Sequence, residues 1–347
     1  MICAIDYIVM KTGSIDEARE REARISATEL RNLARPELDA LETLMRERIR
    51  SSASLIPELS EYMIFSGGKQ LRALITILCA KMSNYSGEEH IRLAAAVEFL
   101  HNATLLHDDV VDEGDMRRGR ATARGIWGNP ASVLVGDFLL GRAFEMMVAS
   151  GSMEALRVLS RAAALIAEGE VMQLAILGDV EIGEEQYFRV IETKTATLFS
   201  AAASVGGIVA DCRTHEVEAL RIYGRNLGIA FQLVDDALDY GGESARLGKW
   251  IGNDFLQGKV TLPILSAFSC GNDDEKNFWR DKFAAKQRTA EDLNTAMTLV
   301  KKHNVLPKVL ERAKEYGTIA HESLAPFKGQ YANALRGAVR FATEREH

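Results

Sequence analysis

The stretch EHIRLAAAVEFLHNATLLHDDVVD, residues 89–112, joins a long apolar segment to a cluster of acidic residues. From residue 89 to residue 106, apolar side chains recur three and four positions apart and alanine is frequent, which is the pattern of a helix. Asp108 and Asp112 then follow four residues apart, so a continuing helix would place both carboxylates on one face, one turn apart. The stretch therefore predicts a buried helix that ends in paired carboxylates.

The same helical periodicity returns along most of the chain, and no convincing period-two strand pattern occurs. Breaks marked by glycine and proline divide the sequence into about ten predicted helices. The clearest of them cover residues 132–149, 154–177, 184–205 and 215–238. Residues 194–210 are apolar nearly all round, which is typical of a helix inside a bundle. The predicted fold is therefore an all-α helical bundle.

The domain organisation follows from length and composition. The chain has 347 residues, 47% of them hydrophobic, which suffices for one large domain or two ordinary ones. Its six prolines lie far apart, and no linker rich in proline, glycine or serine divides it. We therefore predict one large helical domain over residues 36–347. Residues 1–35, where glutamate and arginine are frequent after residue 11, are predicted to form an extension that is helical or frayed.

Charge and cysteine usage exclude several classes of protein. The net charge of −7 argues against a general nucleic-acid-binding protein, which should be basic. An anionic substrate would then need a local group of cations or a bound metal. The four cysteines are scattered without a CxxC pair, which predicts free thiols and a cytoplasmic location. No uninterrupted apolar run reaches about eighteen residues, so no transmembrane segment is predicted.

A second acidic cluster repeats the spacing of the first. Carboxylates at i, i+1 and i+4 occur at Asp108, Asp109 and Asp112, and again at Asp235, Asp236 and Asp239. Each cluster follows an apolar helix, and closely spaced oxygen ligands favour Mg²⁺ shared with substrate phosphates. A solvated acidic helix face and an acid–base dyad are the alternatives, but neither accounts for two copies with apolar approaches. We therefore predict metal binding at these aspartates.

Two basic segments are candidates for binding phosphate. The segment GGKQLR at residues 67–72 places Lys69 and Arg72 at the start of a predicted helix, where the N-terminus attracts anions. Lys194 stands within an apolar helix, where an unpaired charge is costly, so it reaches either the surface or a polar cavity. Each signal is weak alone, because most lysines and arginines simply face solvent.

Further cations accompany the two aspartate clusters. Arg117 and Arg118 follow the first cluster closely and supply a second positive locus beside it. After the second cluster, Lys249 and Lys259 flank Asp254 in a segment that contains glycine, which is typical of a mobile loop or lid. Together with the first two segments, these residues predict a site for diphosphate groups.

A histidine and two polar side chains complete the predicted site. His101 lies two helical turns before Asp108 on the same face, where a core histidine and a functional one remain open alternatives. Metal-bound carboxylates and cations around an apolar interior suit ionisation of an allylic diphosphate, followed by attack of a second substrate's double bond. The Thr195 hydroxyl and the Gln232 side-chain carbonyl are candidates for stabilising the allylic cation.

Five ordered motifs resemble those of the trans-isoprenyl diphosphate synthases, over about residues 36–347. They are GGKQLR at 67–72, HNATLLHDDVVDEGDMRRG at 101–119, KT at 194–195, FQLVDDALD at 231–239 and GKWIGNDFLQGK at 248–259. The form TLLHDDVVDEGDMRRG is most similar to the long-chain members, the octaprenyl to decaprenyl diphosphate synthases. The resemblance implies a helical bundle of the isoprenoid synthase type around a central apolar cavity.

The resemblance also implies a role for each candidate residue. It implies isopentenyl diphosphate binding by Lys69, Arg72, His101 and Arg118, and allylic diphosphate binding by Arg117, Lys194, Gln232, Lys249 and Lys259. It implies about three Mg²⁺ ions, two held by Asp108 and Asp112 and one by Asp235, with Asp239, Asp236 and Asp109 as the other carboxylates of the clusters. Catalytic roles are implied for Asp108, Asp112, Lys194, Thr195, Gln232 and Asp235.

The implied product is a long all-trans chain, about octaprenyl to decaprenyl, built on a primer such as farnesyl or geranyl diphosphate and used for the side chain of a quinone such as ubiquinone. Small Ala103, five residues before Asp108, leaves the first turn below the diphosphate open, and Thr104 and Leu100 adjoin the same path. The resemblance further implies a homodimer and peripheral membrane contact during product release.

Three alternatives remain open. A shorter-chain geranylgeranyl or farnesyl diphosphate synthase would share every motif. A class I terpene cyclase uses one such aspartate cluster but needs no isopentenyl site, and a non-catalytic synthase subunit typically loses its aspartate motifs. The chain departs from the family at Gly252-Asn253-Asp254, where two acidic residues are often found, although Asp254 keeps the matching carboxylate.

Overall fold

The helix predicted at residues 89–106 is present and continues through the first aspartates, as Glu89–Val111, in the computed structural model of the chain. The structure describes residues 27–65, 70–117, 119–241, 252–285 and 287–344. Buried residues occur on every face of this helix, among them Leu93, Phe99 and Leu106. A helix enclosed in this way must lie inside a bundle. The predicted all-α fold is confirmed.

Sixteen α-helices, numbered in chain order, occur within the described residues. The first eight are α1 (Ala27–Leu33), α2 (Arg35–Arg48), α3 (Leu55–Ile64), α4 (Leu71–Met82), α5 (Glu89–Val111), α6 (Ala123–Ala149), α7 (Met153–Ala175) and α8 (Glu184–Ile191). A π-helical turn at Glu192–Ala196 leads into α9 (Thr197–Val209). The others are α10 (Thr214–Gly241), α11 (Asn253–Gln257), α12 (Leu262–Cys270), α13 (Asp273–Ala284), α14 (Ala290–Lys302), α15 (Val305–Ser323) and α16 (Gln330–Thr343).

The predicted number of about ten helices is therefore too low. Glycine and proline marked the predicted breaks, whereas two short helices toward the C-terminus begin at side-chain caps. Asn272 and Thr289 each form a reciprocal capping box that starts α13 and α14. Such caps satisfy the first free N–H groups of a helix without any glycine or proline.

Two local features differ from the predicted pattern. The predicted break at residues 128–130 is a kink inside α6, where Gly128 has a φ of 82° and Pro130 follows. Between α5 and α6 the chain forms an antiparallel hairpin of strands β1 (Met116–Arg117) and β2 (Arg120–Ala121). Strands of two residues are too short to produce a period in the sequence.

Helix α10 joins the two parts of the hydrophobic core. Its Leu220 and Leu227 pack in the cluster that surrounds α4, α5 and α6, whereas its Leu233 belongs to the cluster formed with α12–α15. A Cβ atom at Gly224 would lie 2.3 Å from the carbonyl oxygen of Phe199, so glycine is required where α10 crosses α9. This close crossing fixes the second aspartate cluster relative to the π turn.

The described structure begins before the predicted domain boundary at residue 36. Helix α1 contributes Leu30, and Ala34 follows it, and both side chains are buried in the first core cluster. The division into residues 1–35 and 36–347 stays a prediction. Within the described residues, no helix combines the length and the hydropathy that crossing a membrane requires.

Candidate active site

The first aspartate cluster lies where α5 ends and is surrounded by cations from three other segments. Arg117 on β1 donates from Nε and Nη2 to Asp109 Oδ1, each at 2.9 Å. Lys259, which follows α11, lies 2.7 Å from Asp112 Oδ2. Lys194 of the π turn lies 3.9 Å from Asp108 Oδ2. The fold therefore brings three predicted diphosphate-binding cations to the first motif.

Two aspartates of the second cluster, Asp236 and Asp239 on α10, accept hydrogen bonds from uncharged donors. The Tyr187 hydroxyl donates to Asp236 Oδ2 at 2.5 Å, and Gln232 Nε2 donates to Asp236 Oδ1 at 2.7 Å. Asp239 accepts hydrogen bonds from the backbone N–H groups of Asn253 and Asp254, at 3.2 and 2.9 Å. Asp236 is thereby fixed in orientation, and Asp239 is tied to the start of α11.

A cavity of about 140 Å³ is bordered by Asp236 of the second motif. Its polar wall carries predicted site residues from four segments of the chain, namely Lys194, Thr195, Gln232, Asp236, Asp254 and Lys259. Its apolar wall carries Ile176, Leu177, Val190, Ile191 and Val260. Lys259 connects the motifs directly, because it lines this cavity and contacts Asp112. A charged group and a hydrocarbon chain could thus be held side by side.

A chain of hydrogen bonds orients the amide of Gln232. Its Nε2 donates to Asp236, while its Oε1 accepts from the Thr195 hydroxyl at 2.9 Å. As a carboxylate, Asp236 can only accept hydrogen bonds, so it favours the orientation in which the Gln232 amide N–H points toward it. The flipped amide would instead turn the Gln232 oxygen toward the carboxylate oxygen. The arrangement presents two oxygen atoms, one from Gln232 and one from Thr195, to the cavity.

The π turn at Glu192–Ala196 divides the helix predicted over residues 184–205 and places Lys194 and Thr195 in the site. A π turn inserts one extra residue into a helix and is frequent at functional sites. Here it is anchored by a bidentate ion pair, in which Arg225 Nε and Nη2 lie 2.5 and 2.7 Å from the Glu192 carboxylate. The spacing of apolar residues in the sequence does not indicate such an insertion.

The nearby cations only partly compensate the buried negative charge of the carboxylates in the site. Burial raises the pKa of Asp108 to about 7, and the charges of Glu170 and Asp112 add to the rise while Lys194 opposes it. Burial also raises the pKa of Asp236 to about 7, although Tyr187 donates a hydrogen bond to it. Desolvated carboxylates of this kind favour a cation.

Burial and the charge of Asp239 likewise raise the pKa of Asp254 well above its ordinary value. In contrast, the pKa of Lys194 is raised: burial alone would lower it, but Asp108 and Glu170 outweigh that effect. Lys194 is therefore held as an ammonium ion between two acids.

The acids present fit a hard divalent cation. Asp109 Oδ2 is buried and has no hydrogen-bond partner within the described residues. In that part of the chain, no three His, Cys, Asp or Glu side chains converge as a ready-made metal site. Mg²⁺ requires no such group, since it binds through one or two carboxylates and completes its shell with water and substrate phosphates. Asp108, Asp112, Asp235 and Asp239 are positioned to serve in this way.

The predicted isopentenyl diphosphate cradle is described in part. Arg72 lies in the first turn of α4, where its Nη1 is 3.1 Å from His101 Nε2 on α5, and its guanidinium stacks 4.3 Å from the centroid of the Phe199 ring. Two of the four residues predicted to bind isopentenyl diphosphate, Arg72 and His101, therefore contact each other. Lys69 and Arg118 lie outside the described residues, as does Lys249 of the predicted allylic site.

The three residues predicted to control product length all lie on α5. Ala103 and Leu100 are buried, and the Thr104 hydroxyl donates to the carbonyl oxygen of His101 at 2.8 Å. The cavity described above is lined by other residues. The role of these three residues stays a prediction.

Two side chains of the site were missed from the sequence. Glu170 on α7 contacts Lys194 at 2.7 Å, and Tyr187 on α8 contacts Asp236. Glu170 follows buried Ile166 by four residues, so a helical wheel could have placed it on the inward face. Nothing near Tyr187 in the sequence signals its contact, because Asp236 lies 49 residues away.

Comparison with known proteins agrees with the fold and the motifs. Residues 53–300 match the family described as polyprenyl synthetase. The octaprenyl diphosphate synthase of Escherichia coli K12 is 48% identical over 251 residues, which are 72% of this chain and 78% of that protein.

Two solved structures are similar over nearly the whole chain. A polyprenyl synthase from Caulobacter crescentus CB15, complexed with calcium and isoprenyl diphosphate, is 43% identical with a TM-score of 0.89, covering 93% of this chain and 98% of that one. A decaprenyl diphosphate synthase from Rhodobacter capsulatus is 42% identical with a TM-score of 0.88, covering 93% and 100%. The chain therefore belongs to the polyprenyl synthetase family, and it is a prenyltransferase with an all-α fold.

Proposed function

We propose that the chain is a Mg²⁺-dependent long-chain trans-polyprenyl diphosphate synthase. It joins isopentenyl diphosphate head-to-tail to an allylic diphosphate such as farnesyl or geranyl diphosphate. The product is about octaprenyl to decaprenyl diphosphate and serves as the side chain of a quinone such as ubiquinone. The observation that carries the proposal is that two acidic motifs, 127 residues apart (235 minus 108), meet at one cavity lined by both polar and apolar residues. Asp236 of the second motif lines this cavity, and Lys194 and Lys259, which also line it, contact Asp108 and Asp112 of the first motif.

The carboxylates of Asp108, Asp112 and Asp235 would hold about three Mg²⁺ ions, with Asp239 in support. When bound, the metal neutralises charge on the diphosphate as it leaves. Lys194 and Lys259 would then pass from their carboxylate partners to the phosphate oxygens of the allylic substrate. At Asp112 a divalent ion would thus take the place of the Lys259 ammonium, and Lys194 would leave Glu170 for the phosphate.

The oxygen atoms of Thr195 and Gln232 would face the allylic carbon as its bond to the diphosphate oxygen breaks. Asp236 keeps the Gln232 carbonyl turned toward that carbon. The double bond of isopentenyl diphosphate, held by Arg72 and His101, then forms the new carbon–carbon bond. The proton lost from its second carbon passes to the released diphosphate, so no base of the protein is needed.

For product length we propose that the growing chain runs along α5 past Ala103. A small side chain leaves room at this position, and the long-chain relatives named above support a long product. Ala103→Phe should therefore shorten the main product sharply and leave the first condensations intact.

Chromatographic sizing of the products would test this. Ala94→Phe is the matched control for overpacking, because it lies nine residues earlier, on about the opposite face of α5. Parental length from the Ala103 variant would contradict the proposed path.

We also propose a homodimer, formed through an apolar face of α6. Val133, Leu134, Phe144 and Val148 are exposed on this helix and lie within an arc of roughly 100°. Light scattering should show a dimer that Leu134→Glu converts to a monomer. Ile319→Glu, at an exposed apolar residue of α15, should leave the dimer unchanged.

The cellular setting is proposed on composition and product chemistry. Cys79, Cys212 and Cys270 are free thiols, as expected in the cytoplasm. A long polyprenyl product would require peripheral contact with a membrane for its release. With a net charge of −7, the chain is not proposed to bind nucleic acid.

One incubation tests the proposed reaction. Purified chain, isopentenyl diphosphate, farnesyl diphosphate and Mg²⁺ should give polyprenyl diphosphates of about eight to ten isoprene units, and chelation should abolish the product. A product that stops at geranylgeranyl diphosphate would favour the short-chain alternative. A cyclic hydrocarbon would favour a terpene cyclase, and no turnover would favour a non-catalytic subunit.

A further inference from the structure

Glu170 is the closest acid to Lys194. Its Oε2 lies 2.7 Å from Lys194 Nζ, whereas Asp108 Oδ2 lies 3.9 Å from the same nitrogen. The side chains of Glu170 and Lys194 are each 21% exposed, so the pair is screened less than a surface ion pair. The other carboxylate oxygen, Glu170 Oε1, is buried and has no hydrogen-bond partner within the described part of the chain.

The backbone around this pair is built for close approach. A Cβ atom at Gly169 would lie 2.8 Å from the backbone nitrogen of Lys194 and 3.1 Å from its Cα. Only glycine therefore allows α7 to touch the π turn at this point. The contact brings the backbone next to Glu170 against the backbone of Lys194, so the two side chains start close together and their charged ends meet at 2.7 Å.

The two acids compete for one ammonium. Asp108 belongs to the first aspartate motif, and a lysine bound tightly to it would oppose a metal ion at the same oxygen. Glu170 has no such assignment, and it takes the shorter contact. The geometry thus leaves Asp108 with a lysine at 3.9 Å, beyond hydrogen-bonding distance.

We propose that Glu170 is a positioning residue that holds the Lys194 ammonium away from Asp108 and thereby keeps this carboxylate open to a divalent cation. The inference rests on the proposed metal-dependent function and names a residue through which that function is controlled. Glu170→Gln would release Lys194, whose nearest remaining anion is Asp108. The metal would then have to displace an ammonium ion, so it would bind more weakly.

The test measures Mn²⁺ binding to the substrate-free chain by the loss of the free-ion signal in electron paramagnetic resonance. Glu170→Gln should weaken binding about fivefold, the size of one partly exposed ion-pair interaction. Glu168→Gln, at an exposed residue of the same helix, is the matched control and should have no effect. In turnover, Glu170→Gln should raise the Mg²⁺ concentration for half-maximal rate, with kcat recovering at saturating Mg²⁺.

A double-mutant cycle separates the lysine-mediated effect from a direct one. The charge of Glu170 also attracts the ion directly, and this contribution is common to chains with and without Lys194. If Glu170 acts by positioning, its substitution should weaken Mn²⁺ binding more in the parent chain than in Lys194→Met. Equal weakening in both backgrounds, or none in the parent, would overturn the inference. If the parent and Asp108→Asn both fail to bind Mn²⁺, the metal assignment of the proposed function fails as well.

Discussion

The two aspartate motifs have the same spacing but opposite kinds of partner. Around residues 108–112 the partners are the cations Arg117, Lys194 and Lys259. In the second motif, the hydrogen-bond donors to Asp236 and Asp239 are neutral, comprising a phenol, an amide and two backbone N–H groups. The same spacing of aspartates has therefore been placed among two different kinds of partner.

Because their partners differ, the two motifs can respond differently to a metal ion. At the first motif an incoming divalent ion at Asp112 would replace the Lys259 ammonium, which is then free to bind phosphate, whereas Glu170 holds Lys194 away from Asp108. At the second motif, Asp236 and Asp239 are held in place by directional hydrogen bonds from neutral donors. The first motif is thus suited to exchanging a lysine for a metal ion, and the second to holding its carboxylates in one orientation.

The largest expected effect comes from deleting a carboxylate from either motif. Asp108→Ala and Asp235→Ala should each lower kcat about 10³-fold, because charge neutralisation at the leaving group is worth several kcal/mol. The unfolding midpoint of the metal-free chain should stay the same or rise, since like charges are removed. Steady-state rates and thermal unfolding measure both quantities, with exposed Asp281→Ala as control. Near-normal turnover in either variant would show that the two motifs do not act together.

A smaller effect would distinguish the cations that touch the first motif from those that do not. Lys194→Ala should raise KM for the allylic substrate about tenfold, and Arg72→Ala should raise KM for isopentenyl diphosphate by a similar factor. The reason is that Lys194 lies in the cavity at the motif, whereas Arg72 pairs with His101 two turns away. Initial rates with each substrate varied in turn provide the measurement. Equal changes in both constants in both variants would contradict a division of labour.

The substitution Tyr187→Phe tests the neutral hydrogen-bond donors of the second motif. This change removes one donor from Asp236 and loosens the Gln232 amide, so kcat should fall about fivefold. Tyr223→Phe is the matched control, because the Tyr223 hydroxyl is also buried and donates to the Leu335 carbonyl oxygen at 2.9 Å, far along the chain from the site. Both variants should lose about 1 kcal/mol of unfolding free energy. Only the first should lose activity, and an unchanged kcat would remove Tyr187 from the catalytic arrangement.

The smallest effect concerns pH. The pKa of Asp108 and that of Asp236 are about 7 in the folded chain, above the ordinary value of 3.8. The folded state therefore holds protons that the unfolded state has lost between about pH 4 and pH 7, so the unfolding free energy of the metal-free chain falls as pH rises through this window. Mg²⁺ competes with these protons.

Mg²⁺ should consequently stabilise the folded chain more at pH 8 than at pH 6. We expect the Mg²⁺-induced rise of the unfolding midpoint to be larger by about 2 °C at pH 8. Differential scanning fluorimetry with and without Mg²⁺ is the measurement, and Asp108→Asn should flatten the dependence. A pH-independent shift would mean that proton and metal do not share these carboxylates.

Local sequence determined much of this molecule. The repeat of apolar residues at helical spacing fixed α5 and α10, and the two i, i+4 aspartate pairs stood out without any structure. Gln232 and Asp236 were likewise identifiable, because they lie one turn apart on a single helix. Features of this kind depend only on neighbours within a few residues.

Tertiary structure decided which partners meet the motifs. Tyr187 reaches Asp236 across 49 residues of chain, Glu170 reaches Lys194 across 24, and Lys259 reaches Asp112 across 147. The π turn that presents Lys194 shifts a helix by one residue, and its placement depends on Gly169 in another helix. Contacts between distant segments depend on how whole helices pack against each other. A short sequence window therefore reveals the carboxylates, but not whether a lysine or a tyrosine will stand beside them.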